Sequence, residues 1–180
     1  MIKSLFLLVL TLVFLSGCSI FGSSKEIKKS PSDGLSPKVL YEIAQSKLED
    51  GSIEKAIEQF EIILASYPRS KYAVQAQLDI AYNLYKQKKF NRSILKLDQF
   101  IEKYPNIPST PYAYYLRGVV AEEKSSSILD KLITDSAQRD VESVRNAYGY
   151  YLILIELFPN SKYSQDAIKK LVSLKNTLAR

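Results

Sequence analysis

The sequence predicts an all-α protein built from about three and a half stacked antiparallel helix pairs, and three observations carry that prediction. From Pro37 onward apolar residues recur at spacings of three and four, as along Leu40, Ile43 and Ala44 and again along Ile53, Ala56, Ile57, Phe60, Ile63 and Leu64. Helices then stop three times at an aromatic–proline step: Tyr67-Pro68, Tyr104-Pro105 and Phe158-Pro159. The words that follow also repeat, Arg69-Ser70-Lys71-Tyr72 and Asn160-Ser161-Lys162-Tyr163. Self-similarity at such a period marks a repeat in which one unit cannot bury its apolar face alone and neighbours must stack.

The chain opens with Lys3 and an apolar run from Leu5 to Leu15. A bilayer-spanning helix needs ~20 apolar residues, so this run is short for a span and fits the core of a secretory signal. It ends in Leu15-Ser16-Gly17-Cys18, which resembles the lipobox of bacterial lipoproteins. That resemblance implies a signal peptide over residues 1–17, a diacylglycerol on the Cys18 sulfur and an acylated new amino terminus. Ser19 stands where an Asp commonly signals inner-membrane retention in that family, so the resemblance implies the outer membrane, on its periplasmic face. Cys18 is the single cysteine, which leaves no thiol for a disulfide.

Residues 18–36 are rich in Ser, Lys, Gly and Pro and are expected to form a flexible tether. Residues 37–180 form the helical domain. Its first helix breaks at Asp50-Gly51-Ser52, where Gly51 suits the left-handed residue that ends a helix. The second stops at Tyr67-Pro68. The next pair is expected over about Tyr72–Lys86 and Asn91–Lys103, with a turn near Lys88-Lys89. A later helix runs from Val141 to Leu157. Pro68 and Pro105 are 37 apart and Pro105 and Pro159 are 54 apart, so the third unit carries an insertion, read as a polar loop from about Lys124 to Asp140.

Antiparallel helices that pack closely need small residues where they cross. Ala44, Ala81 and Gly118 occupy one such position, each 37 residues from the last. Ala56, Ser93 and Ala147 occupy another, each 12 residues before its proline, while Phe60, Leu97 and Tyr151 fill the space eight before it. These positions resemble the tetratricopeptide repeat, without the first-helix Trp of the strict consensus. In that repeat the first helices line a concave groove for extended peptides. Aligning the units places Tyr41, Leu78, Tyr82, Tyr85, Tyr112 and Tyr115 there as candidate peptide- or partner-binding residues. Tyrosine gives large contact area at low rotamer cost, with a hydroxyl. The final helix, lacking a successor, is expected to expose an apolar edge at Ile168, Leu171, Val172 and Leu174.

Composition excludes several functions. The chain has no histidine, which removes imidazole-dependent catalysis and the usual zinc sites. It has no phosphate-cradling glycine motif. No catalytic residue, metal site or cofactor is expected beyond the covalent lipid, and Glu122-Glu123 reads as a solvated face. The net charge is +6, but the basic residues are scattered and export argues against nucleic acid as a partner.

The whole domain resembles the BamD family, the tetratricopeptide-repeat lipoproteins of the outer-membrane β-barrel assembly machinery. The resemblance rests on Tyr41 to Gly51, on Ala56-Ile57-Glu58-Gln59-Phe60, and on Pro111-Tyr112-Ala113-Tyr114-Tyr115-Leu116-Arg117-Gly118. Arg139-Asp140, Arg145-Asn146-Ala147-Tyr148 and the Phe158–Tyr163 word with Asp166-Ala167 extend it. It implies a membrane-anchored, non-enzymatic scaffold whose partners are other subunits of the barrel-assembly complex and segments of unfolded outer-membrane proteins. The family usually carries five repeats, and this sequence stops within a fourth. The alternative is a periplasmic adaptor of the Tol-Pal and cell-division type, which shares the aromatic–Pro–x–Ser–x–Tyr word but normally lacks a lipobox and the inserted third unit.

Overall fold

A computed structural model describes residues 34–129 and 137–178. Cys18, the signal peptide, most of the tether and the middle of the insertion lie outside the described residues. The described residues form seven α-helices and no strand: α1 Pro37–Glu49, α2 Ile53–Ser66, α3 Lys71–Lys86, α4 Phe90–Lys103, α5 Thr110–Leu129, α6 Ala137–Leu157 and α7 Lys162–Leu178. None is long and apolar enough to cross a membrane.

Local chemistry sets the helix ends. Ser36 caps α1 by accepting from the Val39 N–H, with Pro37 at the first turn. Ser70 caps α3 through the Ala73 N–H at 3.1 Å. α1 ends as expected at Gly51, at φ +73°, with Ser52 N–H bonded back to the Lys47 carbonyl and Gly51 N–H to that of Leu48. Thirty-seven residues on, Lys88 takes the same role at φ +57°, with Lys89 N–H on the Leu84 carbonyl and Lys88 N–H on that of Tyr85. The two pairs therefore turn by the same motif, once with glycine and once without.

Consecutive helices pack antiparallel, and each pair is closed by the first helix of the next. Three apolar cores result. Leu40, Ala44, Phe60 and Ile63 meet Ala76 and Ile80 of α3 in the first. Leu78, Ala81, Leu97 and Phe100 meet Ala113, Leu116 and Val120 of α5 in the second. Ala121, Ala147, Tyr151 and Leu154 meet Ala167 and Leu174 of α7 in the third. A fully buried Phe60 or Leu97 contributes ~1.5–3 kcal/mol. The first helices α1, α3, α5 and α7 approach one another in succession, whereas the second helices α2, α4 and α6 do not. The stack thus curves with the first helices on its inner side, the arrangement of a tetratricopeptide-like superhelix.

The small residues sit where the repeat placed them. The Ser93 hydroxyl, fully buried, donates to the Ala81 carbonyl at 2.7 Å across the α3–α4 crossing.

Three expectations are corrected. The insertion is helical at both ends, because α5 continues to Leu129 and α6 begins at Ala137. The serines that suggested a loop return their hydroxyls to the helix: Ser125 to the Glu122 carbonyl and Ser126 to that of Glu123. Leu35 and Ser36, expected in the tether, belong to the helical domain: Leu35 packs on the first core, its carbonyl accepts from the Tyr67 hydroxyl at 2.8 Å, and Ser36 caps α1. Of the apolar edge on α7, Ile168 and Val172 are exposed, 51% and 59%, but Leu171 packs against the third core and Leu174 is buried within it.

Candidate functional site: the inner face of the first helices

The inner face carries a row of tyrosines, three of them tied to a carboxylate on the next first helix. Tyr41 of α1 donates to Asp79 of α3 at 2.6 Å. Tyr85 of α3 donates to Glu123 of α5. Both pairs are separated by 38 residues, so one geometry recurs, reaching from one first helix to the next. Tyr115 of α5 continues the series by donating to Asp166 of α7. Behind this row, the buried Tyr151 hydroxyl of α6 donates to Glu122 at 2.9 Å, and Lys170 of α7 pairs with the same oxygen at 2.9 Å.

Ring contacts group these tyrosines with neighbouring aromatic residues. Tyr41 lies 5.5 Å from Phe60 and 5.6 Å from Tyr72 between ring centroids. Tyr82 lies 6.1 Å from Tyr85. Tyr163 of α7 packs on Tyr112 at 5.5 Å and stacks on Tyr115 at 5.4 Å. Offset or tilted pairs of this kind contribute ~0.5–1.5 kcal/mol beyond area burial.

The sequence-derived candidates therefore divide. Tyr82 is exposed, at 41%, and offers its ring to solvent. Tyr41, Tyr85, Tyr112 and Tyr115 are half-buried and pack against the cores between units. Leu78 is corrected: it is 3% exposed and belongs to the second core. A branched aliphatic chain has no polar end to hold at a wet surface, so at the position equivalent to Tyr41 and Tyr115 it turns into the core instead. The carboxylates Asp79, Glu122, Glu123 and Asp166 were not read as site residues from the sequence. For Asp79 and Glu123 the signal was a tyrosine and an acid 38 residues apart, legible only once the helices are known to lie side by side. Glu122-Glu123 is not the solvated face expected: both side chains are half-buried and hydrogen-bonded.

Electrostatics follow from this burial. Desolvation, and after it the Glu123 carboxylate, pushes the Tyr85 phenol up to about 12. Burial pushes Tyr112 to about 12 as well. Tyr41, Tyr115 and Tyr151 are raised further, first by burial and then by Asp79, Asp166 and Glu122 respectively. Asp79 is raised above the usual carboxylate value by burial, against the opposing bonds from Tyr41 and Gln75. The phenols thus stay neutral donors throughout the physiological range.

A second constellation lies between α4, α5 and α6. The Arg117 guanidinium pairs with Asp98 at 2.6 Å and lies 5.0 Å from the Tyr114 ring centroid and 4.1 Å from that of Tyr150. Its side chain is 11% exposed, and its role is to tie three helices together. No group of three or more potential metal ligands occurs among the described residues.

A family model described as "Outer membrane lipoprotein", YfiO, matches residues 33–180. Proteins named "Outer membrane protein assembly factor BamD" are similar over almost the whole chain. That of Neisseria meningitidis serogroup B is 34% identical over 177 residues, 98% of this chain and 66% of the relative. That of Haemophilus influenzae is 33% identical over 180 residues, 99% of this chain and 66% of the relative. That of Xylella fastidiosa strain 9a5c is 32% identical over 175 residues, 97% of this chain and 58% of the relative. The chain therefore spans roughly three-fifths to two-thirds of the length of these relatives. With its stacked helix pairs, its Arg117-Gly118 segment and a match covering the whole helical domain, this chain belongs to the YfiO/BamD family of outer membrane lipoproteins.

Proposed function

We propose that this chain is an outer-membrane protein assembly factor. Its inner groove docks segments of unfolded outer-membrane proteins or a partner subunit of the barrel-assembly complex, and a lipid on Cys18 holds it at the periplasmic face of the outer membrane. The observation that carries the docking role is the tyrosine row on the first helices, fixed by its carboxylate partners and open at Tyr82. Rings already held in place lose little conformational freedom when a segment lies across them, so contact area converts to affinity at low entropic cost. The family match favours this role over the Tol-Pal-type adaptor.

The test is Tyr82→Ala with a labelled peptide from the C-terminal strand of an outer-membrane barrel protein. The ring is exposed, so helicity and melting temperature should hold while binding weakens about tenfold, a loss of ~1.4 kcal/mol. Unchanged affinity in a folded variant would refute docking at this face. For the anchor, Cys18→Ala should abolish incorporation of labelled palmitate and release the protein from membranes. Pull-down from envelope membranes should recover barrel-assembly rather than Tol-Pal components.

A further inference from the structure

The inner face is an aromatic surface in which three phenols have spent their protons on half-buried carboxylates. A phenol has one proton. Tyr41, Tyr85 and Tyr115 each direct it to a carboxylate on the next first helix, and Tyr151 directs its own to Glu122. The amides of Gln45 and Gln75 both point an N–H at Asp79, at 3.4 and 3.0 Å. Lys170 is held by Glu122. What the phenols and carboxylates still offer is lone pairs, the outer ones of the phenols and the second oxygens of the carboxylates, while each glutamine amide keeps a carbonyl and a second N–H. The hydroxyls of Tyr72, Tyr82, Tyr112 and Tyr163 are not directed to a carboxylate among the described residues, and Lys71 and Lys162 lie over the Tyr72 and Tyr163 rings at 5.3 and 5.0 Å, at the start of α3 and α7.

An acceptor-lined surface discriminates by chemistry. A docking segment that brings N–H donors finds partners at once. A segment that brings carboxylates meets lone pairs and fixed negative charge, and loses its hydration without compensation. Resting on the docking role proposed above, we infer that this groove selects extended segments in which lysine or arginine lies beside aromatic residues, and rejects the same segments with acidic side chains. The ring of Tyr82, with Tyr85 and Tyr112, takes the aromatic residue. Asp79, Glu123 and Asp166 take the cations, by charge-assisted bonds that are stronger than neutral ones.

The experiment uses the full chain in detergent and two labelled peptides of equal length and identical aromatic positions, one with lysine and one with glutamate at the intervening positions. The lysine peptide should bind at least about tenfold tighter at low salt, with the preference shrinking as salt screens it. Glu123→Gln should weaken the lysine peptide several-fold and leave the glutamate peptide unchanged or slightly better bound. Tyr85→Phe removes the internal donor to Glu123 while keeping the ring, so it should hold or improve lysine-peptide binding. Circular dichroism confirms folding of each variant. Equal binding of both peptides, with Tyr82→Ala weakening both, would overturn the selectivity and leave docking intact. A preference that survives Glu123→Gln, Asp79→Asn and Asp166→Asn together would overturn the assignment to these carboxylates. Failure of both peptides to bind would remove the docking role and the selectivity together.

Discussion

A Cβ placed on Gly118 would lie 2.4 Å from Cε1 and 2.6 Å from Cδ1 of Tyr151. Tyr151 is fully buried, so its ring has nowhere to retreat. The absence of a side chain at 118 is what admits a tyrosine where the other pairs carry Phe60 opposite Ala44 and Leu97 opposite Ala81. It also lets the Tyr151 hydroxyl reach Glu122.

Gly118→Ala should therefore destabilise the domain by ~1–3 kcal/mol through overpacking, even though alanine is the better helix former. Tyr151→Leu should cost less in the Gly118→Ala background than in the wild type, because the pair then reproduces Ala81 with Leu97. Urea unfolding of the four proteins of this cycle gives the coupling. Additive effects would contradict the contact.

Lys88 holds a left-handed backbone that Gly51 holds without steric cost in the preceding turn. Lys88→Gly should stabilise by a few tenths to ~1 kcal/mol, and Gly51→Ala should destabilise by ~1 kcal/mol. Opposite shifts in thermal midpoint, read by circular dichroism, check both.

Arg117 is held by Asp98 on one side and the rings of Tyr114 and Tyr150 on the others. Arg117→Lys keeps the charge but loses the planar stack, and should recover less than half of the stability lost in Arg117→Ala, itself ~1–3 kcal/mol. Full recovery by lysine would show that charge alone matters there.

The phenols of Tyr85 and Tyr112 titrate near 12 in the folded chain, against ~10 unfolded. A folded value above the unfolded one means that the contribution is complete below about pH 10 and declines from there upward, as the unfolded chain alone loses its protons. Stability should accordingly be insensitive to these groups at neutral pH and fall across the range from about 10 to 12. Asp79 has the same sign at the acid end: burial raises it, so its contribution is complete below its unfolded value and is lost as pH rises through the raised one. Asp79→Asn should hold or raise stability at neutral pH. Tyrosinate absorbance and chemical denaturation across pH measure both effects.

The sequence alone was enough for the repeat, its register and its crossings. Periodic apolar residues, proline stops and small residues at fixed distances are local or translational signals, and Ala44, Ala81 and Gly118 fell on one position because repetition is visible in one dimension. It also picked out tyrosines on the first helices, among them Tyr41, Tyr82 and Tyr115. What it could not decide was what each side chain does there. Leu78 and Tyr41 occupy equivalent positions, yet Leu78 is buried and Tyr41 keeps a hydroxyl on Asp79, because a side chain's direction depends on what the neighbouring helix offers. The partners Asp79, Glu123 and Asp166, the buried Leu174 and the helical ends of the insertion likewise emerged only when first helices were brought side by side. Hydrogen bonds between residues 38 or 51 positions apart are set by the stacking of units, and that stacking is tertiary.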